Sequence, residues 1–450
     1  MSSKVTIIGA GLVGSLLSIY LSKRGYKVSV YEKRPDLRKN RISAGKSINL
    51  ALSDRGWRGL DGVGIADEIR KVAIPMKGRM IHNTDGQINF QPYGKEGQAI
   101  YSVSRGGLNC VLMDLAEKHG VEFSYNERCT HIDLQTAISH FENTESKKIS
   151  SVNADRVFGT DGAFSAARLQ LQLSTDLFEY SQHYLEHGYK ELVIPPTALG
   201  DFAMAPNALH IWPRGQFMLI ALPNLDKSYT CTLFFPFEGE KSFAALNTIE
   251  KMQDFFSQTF PDAVSLLPTL KQDYFAYPAA SLVTVKCSPW NYEDKLLLLG
   301  DAAHAIVPFF GQGMNCGFED CVVLNNLISS YKDDWKKIFS ELELSRKKNS
   351  DAIAELAVQN FVEMRDLVGH PDFLLRKKIE AYLNEHYPEK WKPLYSLVTF
   401  SDTPYSTAFI EGKKQDEIMK KVMAIENISG SWQKPETLKT ILSFIEEYSA

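Results

Sequence analysis

The most restrictive stretch of this 450-residue chain lies at its start. A β-branched run, Val5 to Ile8, leads into Gly9-Ala10-Gly11-Leu12-Val13-Gly14, and a helical pattern follows from Ser15 to Arg24. A second strand, Lys27 to Tyr31, then ends at Glu32. Strand, three glycines, helix, strand and acid form the dinucleotide fingerprint. Gly9, Gly11 and Gly14 allow a tight turn and close approach of a pyrophosphate, the helix start attracts its charge, and Glu32 suits ribose hydroxyls. Arg34, just beyond, is either a solvated charge or a second adenosine contact. Only one such unit occurs, so a second nucleotide would have to dock without a Rossmann domain of its own.

A second stretch, LLLLGDAAHAIVPFFGQGMNCGFED from Leu296 to Asp320, has the same logic in other residues. The four leucines suit a strand covered on both faces. Asp301 then sits at the carboxyl edge of the sheet, where open α/β sheets bind ligands. Gly311 and Gly313 permit close backbone approach, and a helix predicted from Met314 to Ser329 turns its positive end to the same place. His304 reads as a packed or hydrogen-bonded residue rather than a base.

Composition excludes several classes. Hydrophobic residues make up 44% and charged residues 23%, as in soluble globular domains, and the net charge of -4 comes without a basic tract, which argues against nucleic acid. The length exceeds one ordinary core. Six cysteines without a CxxC pair indicate reduced thiols and a cytoplasmic setting rather than zinc or disulfides. Neither a signal peptide nor an apolar run of the roughly 20 residues needed to span a bilayer is expected.

Between these landmarks, Lys77 to His82 and Gln87 to Gln91 flank Asn83-Thr84-Asp85-Gly86, a hairpin signal. Arg79 and Tyr93 then share its open end, either as a grip for a carboxylate or as two surface residues. Ile100 to Val103 is a strand, and Arg105 stands at the entry of a helix from about Leu108 to His119, to meet a phosphate or cap the surface. Residues 176–275 alternate aromatic and β-branched positions at Leu209 to Trp212, Phe217 to Leu222 and Tyr229 to Phe235, predicting an antiparallel sheet with one face toward a cavity. Helices are expected from about Trp335 to Val368, Gln415 to Ile425 and Glu436 to Ser449. Asn360 falls on the apolar stripe of the first and needs either a backbone or a ligand partner. Tyr395, in LYSLVTF, reads as a strand tyrosine.

The GD stretch at Gly300-Asp301 resembles that of the FAD-dependent aromatic hydroxylases, and ADRVFGTDGAFSAAR, with Asp161 and Gly162, resembles their DG motif. Thr160 departs from the smaller residue frequent there, and its hydroxyl can bond locally. The resemblance implies an α/β fold, with a Rossmann-type FAD domain from residues 1–74, 101–175 and 276–372. It further implies an inserted antiparallel β-sheet substrate domain from 75–100 and 176–275, and a mainly helical region at 373–450.

GKSINLALSDRG, KGRMIH, QPYG, HGYKEL, NALHIWPRG, ALPNLD and VPFFGQGMNCGFED lie outside the generic motifs and narrow the likeness to one member whose substrate is an aromatic amino acid. It implies Arg79, Tyr93, Asn360 and Tyr395 at the substrate's amino-acid end and Phe309 and Phe310 along its ring. As FAD contacts it implies Glu32, Arg34, Ala51, Arg105, Cys129, Asp301, Met314 and Asn315, beside Gly9, Gly11, Gly14, Asp161 and Gly313. Lys46 stands where Arg is frequent. NADPH would reduce the flavin, O2 would give a flavin hydroperoxide, and no side chain would serve as catalytic acid or base. Membrane-anchoring C-terminal segments occur in some members, whereas residues 407–450 are charged and helical, as in a soluble, bacterial-type form. Alternatives are a hydroxylase of another aromatic acid or a flavin-binding protein without turnover; no WxW supports a halogenase.

Overall fold

A computed structural model describes residues 3–39, 49–276, 278–367 and 370–447. Lys46, and with it most of GKSINL, lies outside them.

The apolar run Lys4–Ile8 becomes the centre of a six-stranded sheet, flanked by Lys27–Glu32 and Arg156–Gly159, with Glu122–Tyr125 beyond the first and Leu296–Leu298 beyond the second. All these neighbours run parallel, and Asn291–Tyr292 closes one edge antiparallel. Leu296, Leu297 and Leu298 are wholly buried, as expected for a strand covered on both sides. Helices Leu12–Lys23 and Gly313–Tyr331 follow two of these strands at their carboxyl ends.

A seven-stranded sheet holds the aromatic and β-branched segments. Its order is Ala280–Ser288, Glu179–Ile194, Tyr229–Pro236, Met218–Pro223, Ala208–Pro213, Gly78–His82, Ile88–Pro92. The pairing is antiparallel except between Ala208–Pro213 and Gly78–His82, which run parallel. The hairpin at Asp85-Gly86 therefore adds to the sheet's edge and carries Arg79 with it. The sheet continues past residue 275: Ala280–Ser288 pairs along Glu179–Ile194, and Val285 N donates to the Ala305 carbonyl at 2.8 Å. Substrate-side sheet and the loop after the GD turn are thus bonded backbone to backbone. The 16-residue strand Glu179–Ile194 is interrupted by an irregularity between Tyr184 and Gly188, where its register against Ala280–Ser288 shifts by two residues.

The C-terminal region differs from expectation in several ways. The long helix is regular over Trp335–Val362 and ends in a π-turn, Glu363–Leu367. An additional helix, Pro371–His386, follows, and the helix expected from Gln415 begins ten residues earlier, at Tyr405, and runs to Met423. Tyr395 lies in a short helix, Leu394–Thr399, not in a strand. Pro393 presets the turn into it, and Leu394, Leu397 and Val398 recur at i, i+3, i+4, a helical rather than an alternating period. Trp391, Ile379, Leu383, Met419 and Ile441 form a separate small core for these helices. No described helix is long and apolar enough to cross a membrane.

Candidate functional site

The two sheets enclose a cavity of about 620 Å³ that runs from the first glycine turn to the strand carrying Arg79. At one end the chain presents backbone. Gly9 has φ +98°, and a Cβ there would stand 2.7 Å from the Thr160 carbonyl oxygen. A Cβ on Gly14 would meet the Gly9 oxygen at 2.1 Å, whereas Gly11 has nothing within 4 Å and opens on the cavity. Helix starts at Leu12 and Gly313 both line this end, so unpaired N–H groups and the positive ends of two helix dipoles face one space.

Glu32 is buried and accepts from Ala10 N at 2.9 Å, Arg34 N at 3.0 Å and Arg34 Nε at 2.8 Å. Burial by itself would raise its pKa, but Arg34 and the amides outweigh it and hold the carboxyl below its ordinary value. Arg34 is half exposed at the cavity edge. Ala51, Arg105, Cys129, Asp301 and Met314 line the same end. Burial pushes the Cys129 thiol up to about 12, so it stays neutral. Asp161 also borders the cavity, with its carboxylate committed to the next helix: it accepts from Ala166 N at 2.7 Å, Ala167 N at 3.2 Å and the Ser165 hydroxyl at 2.5 Å. Thr160 Oγ1 bonds the Ile8 and Gly9 carbonyls at 2.9 and 3.0 Å, the local satisfaction its sequence position suggested.

Asn315 does not line the cavity. It locks the two walls together, donating from Nδ2 to Ala51 O at 2.9 Å and Gly311 O at 2.7 Å and accepting from Ser53 N at 3.0 Å. Below this loop sits a buried charge cluster. Asp320 accepts from His304 Nε2 at 2.7 Å, Arg346 Nε at 2.7 Å and Gly300 N at 3.1 Å. Burial would raise its pKa, but the two cations hold the carboxyl at about 2, and Asp320 in turn, against burial, raises His304 well above the usual imidazole value. His304, Cys316 and Asp320 place one ligand atom each within 4.8 Å, a metal-like grouping among the described residues. The guanidinium of Arg346, 3.2 Å from Cys316 Sγ as well, already occupies the cation's place.

The opposite end is built of side chains. Arg79 has its guanidinium 5.5 Å from the Tyr93 ring centroid and 5.1 Å from that of Tyr395, while the two tyrosines stack at 5.1 Å. Of the two readings of Arg79 and Tyr93, exposed hairpin or cavity wall, the structure takes the second. Arg79 Nε and Tyr93 Oη are buried with no hydrogen-bond partner, and the nearest carboxylate, Glu363, lies 3.8 Å from Arg79 Nη1. Burial pushes the Tyr93 hydroxyl well up, so it remains a donor. A buried guanidinium with a free Nε, beside one unbonded hydroxyl, suits an anionic ligand. Phe309 and Phe310 line the space between the two ends. Phe310 stacks on Tyr395 at 5.5 Å and Phe309 on Phe361 at 4.0 Å. Asn360 stands behind Phe309 and donates to its carbonyl at 2.6 Å, so backbone is its partner here. Apart from Arg79, sequence reasoning named no wall residue from the sheet, although Leu209, Met218, Leu222 and Phe234 all line the cavity. Their alternation was the available signal.

Glycine-lined backbone beside Glu32, a void at Gly11 and two helix starts fit a dinucleotide, and a flat ring system fits between Gly313 and the phenylalanines. The class follows from this arrangement and from sequence together. The FAD binding domain family matches residues 2–337, and the chain belongs to it. Its fold is that of p-nitrophenol 4-monooxygenase PnpA from Pseudomonas putida DLL-E4 (TM-score 0.68, 16% identity, 90% of this chain and 98% of that one). It is also that of 2-methyl-3-hydroxypyridine-5-carboxylic acid oxygenase (TM-score 0.66, 18% identity, 85% and 98%). Within that class the chain belongs to the kynurenine 3-monooxygenases. It is 51% identical over 446 residues to the Flavobacterium johnsoniae kynurenine 3-monooxygenase, covering 99% of both chains. To that of Dictyostelium discoideum it is 46% identical over 437 residues, 94% of both.

Proposed function

We propose that the protein hydroxylates L-kynurenine to 3-hydroxy-L-kynurenine, with FAD bound and NADPH and O2 as co-substrates. The observation that carries the substrate is the buried Arg79, with Nε unbonded, beside the unbonded Tyr93 hydroxyl at the far end of a cavity lined by phenylalanines. In this reading Arg79 pairs with the α-carboxylate and Tyr93 and Tyr395 donate to it. Phe309 and Phe310 hold the aromatic ring, and Asn360 fixes the Phe309 backbone. Glu32 takes the ribose hydroxyls of FAD, Gly9, Gly11 and Gly14 its pyrophosphate, Arg34 and Cys129 its adenosine side. Ala51, Arg105, Asp161, Asp301, Gly313, Met314 and Asn315 form the remaining contacts or their support.

Bound FAD supplies the oxygen chemistry. The chain's part is to place the ring, exclude water and stabilise charge. The start of helix Gly313–Tyr331 would favour negative charge on a flavin ring bound beside it. No side chain need remove a proton to start the ring attack, because the substrate's own amino group activates the adjacent ring carbon, and the wall of Leu209, Met218, Leu222 and Phe234 keeps the space dry. The carboxylate grip holds the ring in one pose and so converts binding into position. The chain divides in this reading into a discontinuous FAD domain, a sheet that carries the substrate grip and a C-terminal helical region. Six free cysteines suit a reducing, cytoplasmic setting.

The test is NADPH oxidation by the FAD-loaded protein with and without L-kynurenine, with 3-hydroxykynurenine measured by mass. Stimulation with matching product supports the assignment. Stimulation yielding only hydrogen peroxide favours another aromatic acid as substrate, and no stimulation refutes the kynurenine reading.

A further inference from the structure

Arg55 is 1% exposed and touches neither end of the cavity, yet it joins three elements that build it. It lies in helix Asp54–Asp61, directly after the strand Asn49–Leu52 that carries Ala51. Its Nη1 pairs with Glu319 at 2.6 Å, on the helix that begins at Gly313. Its Nε donates to the Val398 carbonyl at 3.0 Å and its Nη2 donates to the Thr403 carbonyl. Val398 belongs to the last turn of helix Leu394–Thr399, where a carbonyl has no partner within the helix. Arg55 therefore caps the helix that carries Tyr395 and complements its dipole. The guanidinium also lies 4.0 Å over the Tyr405 ring, whose hydroxyl donates to Gln312 Oε1 at 2.8 Å, the residue before Gly313. Beside it, Arg58 pairs with Asp402 and holds the same segment.

We propose that Arg55 is a positioning residue for substrate capture: by capping helix Leu394–Thr399 from the flavin side, it sets the orientation in which Tyr395 stacks on Tyr93 and beside Arg79. This rests on the reading that Arg79, Tyr93 and Tyr395 grip the substrate carboxylate. A fork of planar donors is required, since one group must reach Glu319 and two carbonyls at once. Lysine cannot do this.

The test uses FAD-loaded full-length Arg55→Lys and Arg55→Met. L-Kynurenine Kd is measured by titration, KM and kcat by NADPH oxidation, and the peroxide fraction by product balance. The expected result for both is FAD retained, Kd and KM raised about tenfold, the size of one lost hydrogen bond to a charged group, and more NADPH diverted to peroxide. In the background of Tyr395→Phe the same Arg55 change should weaken kynurenine binding much less, because the two act through one hydroxyl. A merely structural role would lower thermal stability and leave Kd and the peroxide fraction unmoved in the folded protein; that result, or full additivity with Tyr395→Phe, overturns the proposal. Should Arg55→Met fail to fold, Arg55→Lys, which keeps a charge opposite Glu319, carries the test. A wild-type protein indifferent to L-kynurenine refutes the substrate reading instead, so the two failures are distinguishable.

Discussion

The two ends of the cavity are built by different means. The end at Gly9 to Gly14 is built largely of backbone, from the glycine turn and from the two helix starts at Leu12 and Gly313. The end at Arg79 is made of side chains delivered by a sheet edge, the residue after its hairpin and a short C-terminal helix. A backbone site is fixed as soon as its local fold forms, and its polar groups are satisfied or face open space. The side-chain end keeps a buried Arg79 Nε and a Tyr93 hydroxyl without hydrogen-bond partners, with Glu363 no closer than 3.8 Å to the guanidinium. One end is stable in itself and the other is completed by its ligand.

Substitutions should separate the two ends. The largest effect is expected for Gly14→Ala, whose Cβ would collide with the Gly9 carbonyl at 2.1 Å and the Thr160 hydroxyl at 2.5 Å: loss of folded, FAD-retaining protein, read by thermal melting, at a cost of about 4 kcal/mol or more. Next is Asp320→Asn, which leaves the buried His304 without its carboxylate and Arg346 with Glu319 alone, and should cost about 3–5 kcal/mol at neutral pH. Because the Asp320 carboxyl is depressed to about 2 in the folded protein, its stabilisation is complete above its unfolded pKa of about 4 and is lost as pH falls from there toward 2. The gap between wild type and variant should therefore close over that window. The raised His304 works in the other direction, losing its contribution only as pH rises through its raised value.

Arg79→Ala should leave FAD content intact and raise the KM for kynurenine by roughly 100-fold, the range for removing one side of a buried charge pair. Gly11→Ala sharpens the comparison from the other end. Its Cβ meets no protein atom within 4 Å, so the melting temperature of the apoprotein should hold while FAD affinity falls about tenfold. Loss of apoprotein stability there would mean that Gly11 serves the fold and not a ligand. The smallest change is expected for Tyr93→Phe, which removes a hydroxyl that has no partner in the free protein. Stability should stay level or rise, while kynurenine affinity drops by about 1 kcal/mol. A fall in stability would contradict the absence of a partner.

The same contrast explains what could be read from sequence. The glycine turn, Glu32, the leucine strand and the helix after Gly313 are each signalled by neighbours within a few residues, and all stand where their patterns indicated. The FAD family match covers this part of the chain. Arg79 and Tyr93 could be suspected from one hairpin but not distinguished from surface residues, because burial there comes from Tyr395 and Phe310, hundreds of residues away. Tyr395 was misread as strand because six residues are too few to show a period clearly, and the proline before them was the better signal. Helix Pro371–His386 shows little periodicity because only Ile379, Glu380 and Leu383 are buried in it, one of them a charged residue, which blurs the apolar stripe. Arg55 carried no local signal at all, since its partners are Glu319 and two main-chain carbonyls, all more than 260 positions on.

The bond from Val285 N to the Ala305 carbonyl, together with the continuous pairing from Ala280–Ser288 across to Gly78–His82, makes the sheet a fixed caliper. One jaw is the backbone after the GD turn and the other is Arg79. Main-chain hydrogen bonds set the backbone separation of the two jaws. An amino acid whose side chain is one methylene shorter or longer would still seat its carboxylate, but its ring would be held out of reach of oxygen transfer, so such analogues should stimulate NADPH consumption and release peroxide in place of phenol.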